Sequence, residues 1–273
     1  MNLDGLFEWG FATDTGRVRS NNEDALAVDA NLGVFILADG MGGHKGGEVA
    51  SSLAVASLLN RLKLTLPPLK PGQLDEELGY TRESIAIREA VIHANKAIHE
   101  AAQEQPQYEG MGTTLVVAVF YDNRLSIAHV GDSRIYRLRN DQLEQITSDH
   151  TMLQELIDRG FYTEEEAQRS MHRNLVTRAL GVEASVAVDI QEELVLPGDL
   201  YLLCSDGLHD LVDDAHLAER LSACEDLTDC AQTLVDDANT KGGKDNISLI
   251  LARPIGDFPG QRRWYNRLSS WFR

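Results

Sequence analysis

Val34-Phe35-Ile36-Leu37-Ala38-Asp39-Gly40-Met41-Gly42-Gly43-His44 changes character at its sixth residue. Five apolar residues of strand type run into an acid and a set of glycines, and a helix-like stretch opens from about Gly46. The pattern predicts a strand that carries one carboxylate, Asp39, at its end. Gly40, Gly42 and Gly43 lack Cβ atoms, so the backbone there can turn sharply and its amides and carbonyls can approach a ligand closely. Taken alone, the stretch also fits an ordinary strand-turn-helix connection. Recurrence gives it weight.

The same grammar returns at three distant places. His129-Val130-Gly131-Asp132-Ser133-Arg134 follows the run Leu125 to Ala128, Leu202-Leu203-Cys204-Ser205-Asp206-Gly207 follows Asp199-Leu200-Tyr201, and Lys244-Asp245-Asn246 precedes the run Ile247 to Ala252. Each sets an Asp beside small or polar residues at the end of an apolar run. A further acid pair, Glu23-Asp24, lies in Arg19-Ser20-Asn21-Asn22-Glu23-Asp24-Ala25. If these strand ends meet in space, their carboxylates crowd together, which like-charge repulsion forbids unless protons or cations intervene. A metal cluster is the economical expectation.

The chain of 273 residues is 43% hydrophobic, long and apolar enough for a full globular core. No run approaches the roughly 18 apolar residues of a membrane span, and Met1-Asn2-Leu3-Asp4-Gly5 has neither the basic nor the apolar region of a signal peptide, so a cytoplasmic protein is expected. Cys204, Cys224 and Cys230 form an odd set without paired-ligand spacing and read as reduced core thiols. With 43 acids against 25 bases the net charge is −18, which disfavours nucleic acid as a partner. Residues 262–273 differ: they hold Arg262, Arg263, Arg267 and Arg273 and no acid, interleaved with Trp264, Tyr265, Leu268, Trp271 and Phe272. Such an amphipathic tail could make weak contact with an acidic membrane or a partner, or dock on the protein's own acidic surface.

In order, the chain reads as irregularly alternating strands and helices. Leu6 to Thr13 and Asp24 to Val28 look like a strand pair around the Asp14-Thr15-Gly16 turn, followed by the strand Val34 to Ala38. Helices are expected from Gly47 to Leu64, with Val49, Leu53 and Ala56 and also Val55, Leu58, Leu59 and Leu62 in its wide apolar stripe, from Arg82 to Glu104, and from Leu227 to Ala238. Thr113 to Tyr121 and Leu125 to Val130 form a hairpin through Asp122-Asn123-Arg124, and Ile135 to Leu138 pairs with Gln142 to Thr147 through Asn140-Asp141. Asp149 to Gly181 is polar and helical in character and reads as a flap beside the site, with His150 and His172 as surface residues. Strands return at Val186 to Val195, Leu200 to Ser205 and Ile247 to Ala252. Helices between blocks of antiparallel strands suggest sheet-on-sheet packing with helices outside.

Six pieces in order, Arg19 to Ala25, Ala38 to His44, Gly112-Thr113-Thr114, Val130 to Arg134, Ser205-Asp206-Gly207-Leu208 and Asp245-Asn246, resemble the metal-dependent protein phosphatase family (PPM, type 2C) in its bacterial form. The likeness spans residues 6–252. It implies an α+β fold, an α-β-β-α sandwich of two antiparallel sheets flanked by helices. Together with the composition of the chain, this gives an expected catalytic domain over residues 1–256, with a flap at 149–181, and a basic aromatic tail at 257–273 outside it. The activity implied is hydrolysis of phosphoserine and phosphothreonine in proteins with two Mn²⁺ or Mg²⁺ ions, opposing a bacterial serine/threonine kinase. Carried over by position, Asp39 bridges the two metals, Asp206 and Asp245 complete one, and Asp24 with the Gly40 carbonyl serves the other. Asp132 with Asp206 resembles the pair that holds a third ion in bacterial members, Arg19 matches the arginine on the substrate phosphate, and Glu23 ranks below Asp24 as a ligand.

Chemistry supports the same expectation independently. Oxygen-only ligands select hard ions such as Mg²⁺ or Mn²⁺ over Zn²⁺. Two such ions about 3.5–4 Å apart can lower the pKa of a water between them and aim it at phosphorus, and an arginine can fork two phosphate oxygens. Where animal enzymes of the family place a histidine proposed as general acid, this chain has Met41, which cannot donate a proton. His44 has the right chemistry, and a metal-bound water is its rival. Asp14, Asp29 and Asp199 read as ordinary turn residues, and Asp132 on its own could simply cap a turn. The alternative function is a catalytically silent, phosphatase-like scaffold, although such a protein has no physical reason to retain mutually repelling acids. A nuclease fits two-metal chemistry but not the charge.

Overall fold

The computed structural model describes residues 3, 5–42, 46–163, 175–256 and 258. Among the described residues, eleven strands are β1 (Phe7–Asp14), β2 (Asp24–Asp29), β3 (Val34–Met41), β4 (Gly112–Thr113), β5 (Leu115–Tyr121), β6 (Arg124–Val130), β7 (Arg134–Arg139), β8 (Gln142–Gln145), β9 (Asp189–Leu194), β10 (Leu200–Cys204) and β11 (Ile247–Pro254). The described helices are α1 (Gly46–Thr65), α2 (Arg82–Glu104), α3 (Met152–Asp158), α4 (Asp206–His209), α5 (Asp214–Ser222) and α6 (Leu227–Thr240). One sheet runs β1-β11-β10-β7-β8 and the other β2-β3-β5-β6-β9, with β4 on the end of β3. All the pairings are antiparallel.

Side-chain alternation along these strands builds three apolar layers. Val34, Ile36, Val117 and Val119 face α1 and α2. Phe35, Leu37, Val116, Phe120, Tyr201, Leu203 and Ile250 fill the space between the sheets. Leu202, Cys204, Leu249 and Leu251 face α5 and α6, whose Leu217, Leu221, Leu234 and Ala238 cover them. This is the expected α-β-β-α sandwich. Both hairpin turns fall where expected: Asp122-Asn123 and Asn140-Asp141 adopt positive φ at both central positions, the geometry that two-residue hairpins favour.

Several local expectations fail for identifiable reasons. The first two strands do not pair with each other. β1 joins β11, Phe7 opposite Pro254, while β2 joins β3 in the other sheet. Nine residues separate Asp14 from Asp24, long enough to cross between sheets, and no local pattern distinguishes that from a wide hairpin. On α1, Val55, Leu58 and Leu62 face inward as expected, but Val49, Leu53 and Leu59 are only half-buried and Ala56 is exposed, and the small residues Ala50, Ser51 and Ala54 join the buried face instead. Small residues take those places because the helix start lies against β3: a Cβ on Gly40 would overlap the Gly47 carbonyl. Two short helices, α4 and α5, were not anticipated. The apolar core also continues past residue 256 to Phe258, which is buried and packs on Phe7 and Phe120 with ring centroids 5.5 and 6.5 Å apart. The remainder of the tail, His44, His172 and 164–174 of the flap lie outside the described residues.

Asp199 is buried rather than sitting in a solvated turn. Its two oxygens accept from Arg139 Nε and Nη2, each at 2.7 Å, and Oδ2 also accepts from the Leu196 amide and Tyr201 hydroxyl. Breaking a buried pair from one side leaves the other charge uncompensated, so Asp199→Ala should lose about 3–5 kcal/mol in urea unfolding. A loss under 1 kcal/mol would mean that the pair contributes little.

Candidate metal centre

The inter-sheet layer ends in acids. Phe35 and Leu37 point between the sheets, so Asp39, two residues further, takes the same side where the apolar layer runs out. Leu26 and Val28 pack against that layer from β2, and Asp24 shares their parity and stands opposite Asp39 in the β2–β3 register. Asp206 begins α4 directly after β10, and Asp245 lies two residues before β11. Asp132 is in the three-residue passage by which the chain leaves β6 in one sheet for β7 in the other. Strands from both sheets thus deliver carboxylates to one end of the sandwich.

Main-chain bonds hold these ends together. Asn246 donates from Nδ2 to the carbonyls of Thr15 and Asn21, both at 2.9 Å, and its Oδ1 accepts from the Glu23 amide at 2.8 Å. The segment bearing Arg19 and Asp24 is thereby tied to the start of β11. The Glu23 carbonyl accepts from the Gly40 amide at 3.1 Å and from Ser51 Oγ at 2.6 Å, fixing β2 to β3 and α1. Thr114 donates its amide to the Asp39 carbonyl at 2.8 Å, accepts from the Asp39 amide on Oγ1, and bonds Ser133 at 2.6 Å beside Asp132. Ser205 Oγ donates to Asp24 Oδ2 at 3.0 Å.

Electrostatics report how tightly the acids are gathered. Burial, then the charges of Asp24, Asp206, Asp132 and Asp245, hold Asp39 well above the usual carboxylate range. Burial lifts Asp206 to about 8, with Asp132 and Asp245 adding to it. Asp24 rises to about 6 through burial, against the pull of hydrogen bonds from Ser248 and Ser205. Asp132 also rises to about 6, through burial and then the charge of Asp149. Glu23 is raised by burial, and its carboxylate abuts Gly47. The residues fit hard divalent cations: the donors are all oxygen, and Asp24 Oδ1 and Asp206 Oδ1 are buried with no hydrogen-bond partner among the described residues.

Arg19 stands at the rim, half-exposed, with Nη2 2.6 Å from Asp245 Oδ2. Sequence reasoning missed two residues that brace the site. His150 is buried, not a surface residue, and burial with the neighbouring His129 and Arg178 pushes its pKa down to about 4. His209, buried in α4, donates from Nε2 to the Asp132 carbonyl at 3.1 Å. No local signal marks either one, because their partners lie 19 and 77 residues away.

Known proteins share this sequence pattern and fold. Residues 15–247 match the family profile described as Protein phosphatase 2C. The serine/threonine phosphatase stp of Listeria innocua is 39% identical over 244 residues, covering 88% of this chain and 93% of that protein. The crystal structure of the Mycobacterium tuberculosis serine/threonine phosphatase PstP/Ppp superposes with a TM-score of 0.82 at 38% identity, covering 92% of this chain and 99% of that one. The catalytic domain of PstP in complex with two manganese ions superposes with a TM-score of 0.76 over the same shares of the two chains, also at 38% identity. The chain belongs to the protein phosphatase 2C family, the metal-dependent protein phosphatases, in its bacterial form. Among the described residues no helix is long and apolar enough to cross a membrane.

A pH dependence follows from the raised carboxylates. Their folded pKa values of about 6 to 8 exceed the ordinary 3.8, so between those limits the folded state binds more protons than the unfolded state. Stability of the chelated protein should therefore fall as pH rises from about 4 through 8. If Mn²⁺ takes the place of those protons, it should raise the Tm more at pH 8 than at pH 5. Calorimetry at both pH values, with and without Mn²⁺, checks this; an equal shift at both would contradict the protonated cluster.

Proposed function

We propose that this chain is a metal-dependent phosphatase that removes phosphate from phosphoserine and phosphothreonine in proteins, with Mn²⁺ or Mg²⁺ held by Asp24, Asp39, Asp206 and Asp245. The observation that carries this reading is the gathering of those acids at one sandwich end, in a chain of this family. Gly40, directly after Asp39, would add its carbonyl; Glu23 would act behind Asp24; Asp132 and Asp206 would take a further ion. When bound, the ions supply Lewis acidity toward the phosphoryl group and lower the pKa of water. The protein's part is to present oxygens in fixed positions, so that the charge developing on phosphate meets a prepared site.

Arg19 carries the substrate contact. Its guanidinium already grips a carboxylate at the rim, and phosphate offers it a better bidentate partner. Half-exposed, it can turn toward an arriving phosphoprotein without opening the core. The proton needed by the departing serine or threonine alkoxide is assigned to His44, since Met41 has none to give. Phosphoprotein substrates imply a serine/threonine kinase as the opposing enzyme, and on this reading the protein works in the cytoplasm, where ATP-dependent kinases act. A silent scaffold would bear the repulsion among these acids with no return.

Asp39→Asn should lower Mn²⁺-dependent hydrolysis of phosphoserine and phosphothreonine peptides about 10²–10³-fold, the scale for deleting one preorganised charge contact. Undiminished turnover, or full activity of wild type after thorough chelation, would remove the metal mechanism. Arg19→Ala should raise KM roughly tenfold for phosphopeptides and lower kcat/KM with it; unchanged kinetics would reject its role. His44→Ala should slow alkyl phosphoesters far more than p-nitrophenyl phosphate, whose leaving group needs little protonation. An equal effect on both would free His44 of that task.

A further inference from the structure

We propose that His150 is a positioning residue that sets the Asp132 corner of the metal centre and couples it to the base of the 149–181 flap. The inference rests on the reading of Asp132 and Asp206 as a metal-holding pair. Its basis is a double grip on one peptide unit. The Gly131 amide donates to His150 Nδ1 at 3.0 Å, and the Gly131 carbonyl accepts from the His150 backbone amide at 2.9 Å. Gly131 has φ +103°, and a Cβ there would run into Thr114, so this corner has no side chain of its own to hold it. With His209 on the Asp132 carbonyl, the main chain is fixed on both sides of the Asp132 side chain.

The hydrogen bonds also fix the tautomer. Because Nδ1 accepts from Gly131, the neutral ring carries its proton on Nε2, which points to Asp189 Oδ2 at 3.2 Å. Asp189 is held in turn by Arg178 Nη1, 2.7 Å from its other oxygen. His129 stacks on the ring with centroids 4.6 Å apart and donates from Nε2 to the Ser148 carbonyl at 2.8 Å. This chain of orienting contacts resembles those that aim metal ligands from behind.

The flap enters through the same residue. The His150 carbonyl accepts from the Thr177 amide at 2.8 Å, Thr151 pairs with Val176, and the Met152 amide bonds the Leu175 carbonyl at 2.9 Å. Thus the returning end of the flap is stitched to the residue that grips Gly131. The flap base and the Asp132 corner therefore share one anchoring residue.

His129, His150 and Asp189 can each bring one donor atom within 4.8 Å of the others, close enough for a transition ion to bridge. The hydrogen bonds oppose that use. An ion on His150 Nε2 would require the proton on Nδ1, where the Gly131 amide already points. The Arg178 guanidinium, 3.1 Å from Nε2, supplies positive charge at the spot.

Asparagine and glutamine separate positioning from mere packing. Asn places an oxygen near the position of Nδ1 and can still accept from Gly131, whereas Gln places its amide near Nε2 and cannot. Mn²⁺ binding to the full chain, measured by electron paramagnetic resonance of the free ion, reads the result without relying on turnover. His150→Gln should weaken the weakest bound Mn²⁺ about tenfold, the effect typical of losing an orienting contact, while His150→Asn stays within about twofold of wild type. Asp189→Ala, which leaves His150 in place, should weaken the same ion and serves if the Gln variant does not fold. Equal binding in wild type and His150→Gln overturns the proposal, as does equal loss in the Asn and Gln variants. One equivalent of Zn²⁺ bound by wild type and lost in His129→Phe also overturns it, in favour of a metal triad. Wild type that binds no Mn²⁺ refutes the metal-centre reading itself, and this inference with it.

Discussion

Mutual repulsion among buried carboxylates is the constraint that the rest of this molecule answers. Asp24, Asp39, Asp132 and Asp206 all sit where burial and neighbouring charge oppose ionisation. Separated acids would be more comfortable in water. They stay together because none is held by its own carboxylate alone. Asn246, Ser51, Thr114 and His209 fasten the peptide units on either side, and those bonds are indifferent to the charge on the side chains. The fold thereby holds an arrangement that only protons or cations can neutralise.

The sandwich supplies the geometry for this. Two sheets whose inner faces are apolar leave a slot at one end, and strand parity decides which residues look into it. Asp39 inherits its direction from Phe35 and Leu37, as Asp24 does from Leu26 and Val28. The close seat of α1 on β3 at Gly40 and Gly47 brings the helix start to the slot, with room for no side chain between them. Access is left to the rim, where Arg19 bridges the interior acids and solvent.

Much of this was legible in the chain. The gathering of Asp39, Asp206 and Asp245 was readable because an Asp with small or polar neighbours at the end of a strand-like run recurs four times in the chain. The hairpins at Asp122-Asn123 and Asn140-Asp141 were readable because their chemistry is local. What failed was long-range. The partner of β1 lies at the far end of the domain, Asp199 is buried by an arginine 60 residues away, and His150 earns its place through a glycine 19 residues back. On α1 the expected Val55, Leu58 and Leu62 are buried, but Ala50, Ser51 and Ala54 were missed, because close approach calls for small residues that an apolar stripe does not single out. Periodicity cannot announce such contacts.

The pairing of β1 with β11 has a temporal meaning. Phe7, made early in the domain, lies opposite Pro254, made near its end. A growing chain on the ribosome can complete the β2-β3-β5-β6 ladder early, but β11 must emerge before β1 has a neighbour. Asp245, which precedes β11, arrives in that same late step. The acids therefore come together only when nearly the whole domain has been synthesised, so a stalled or shortened nascent chain cannot gather them all.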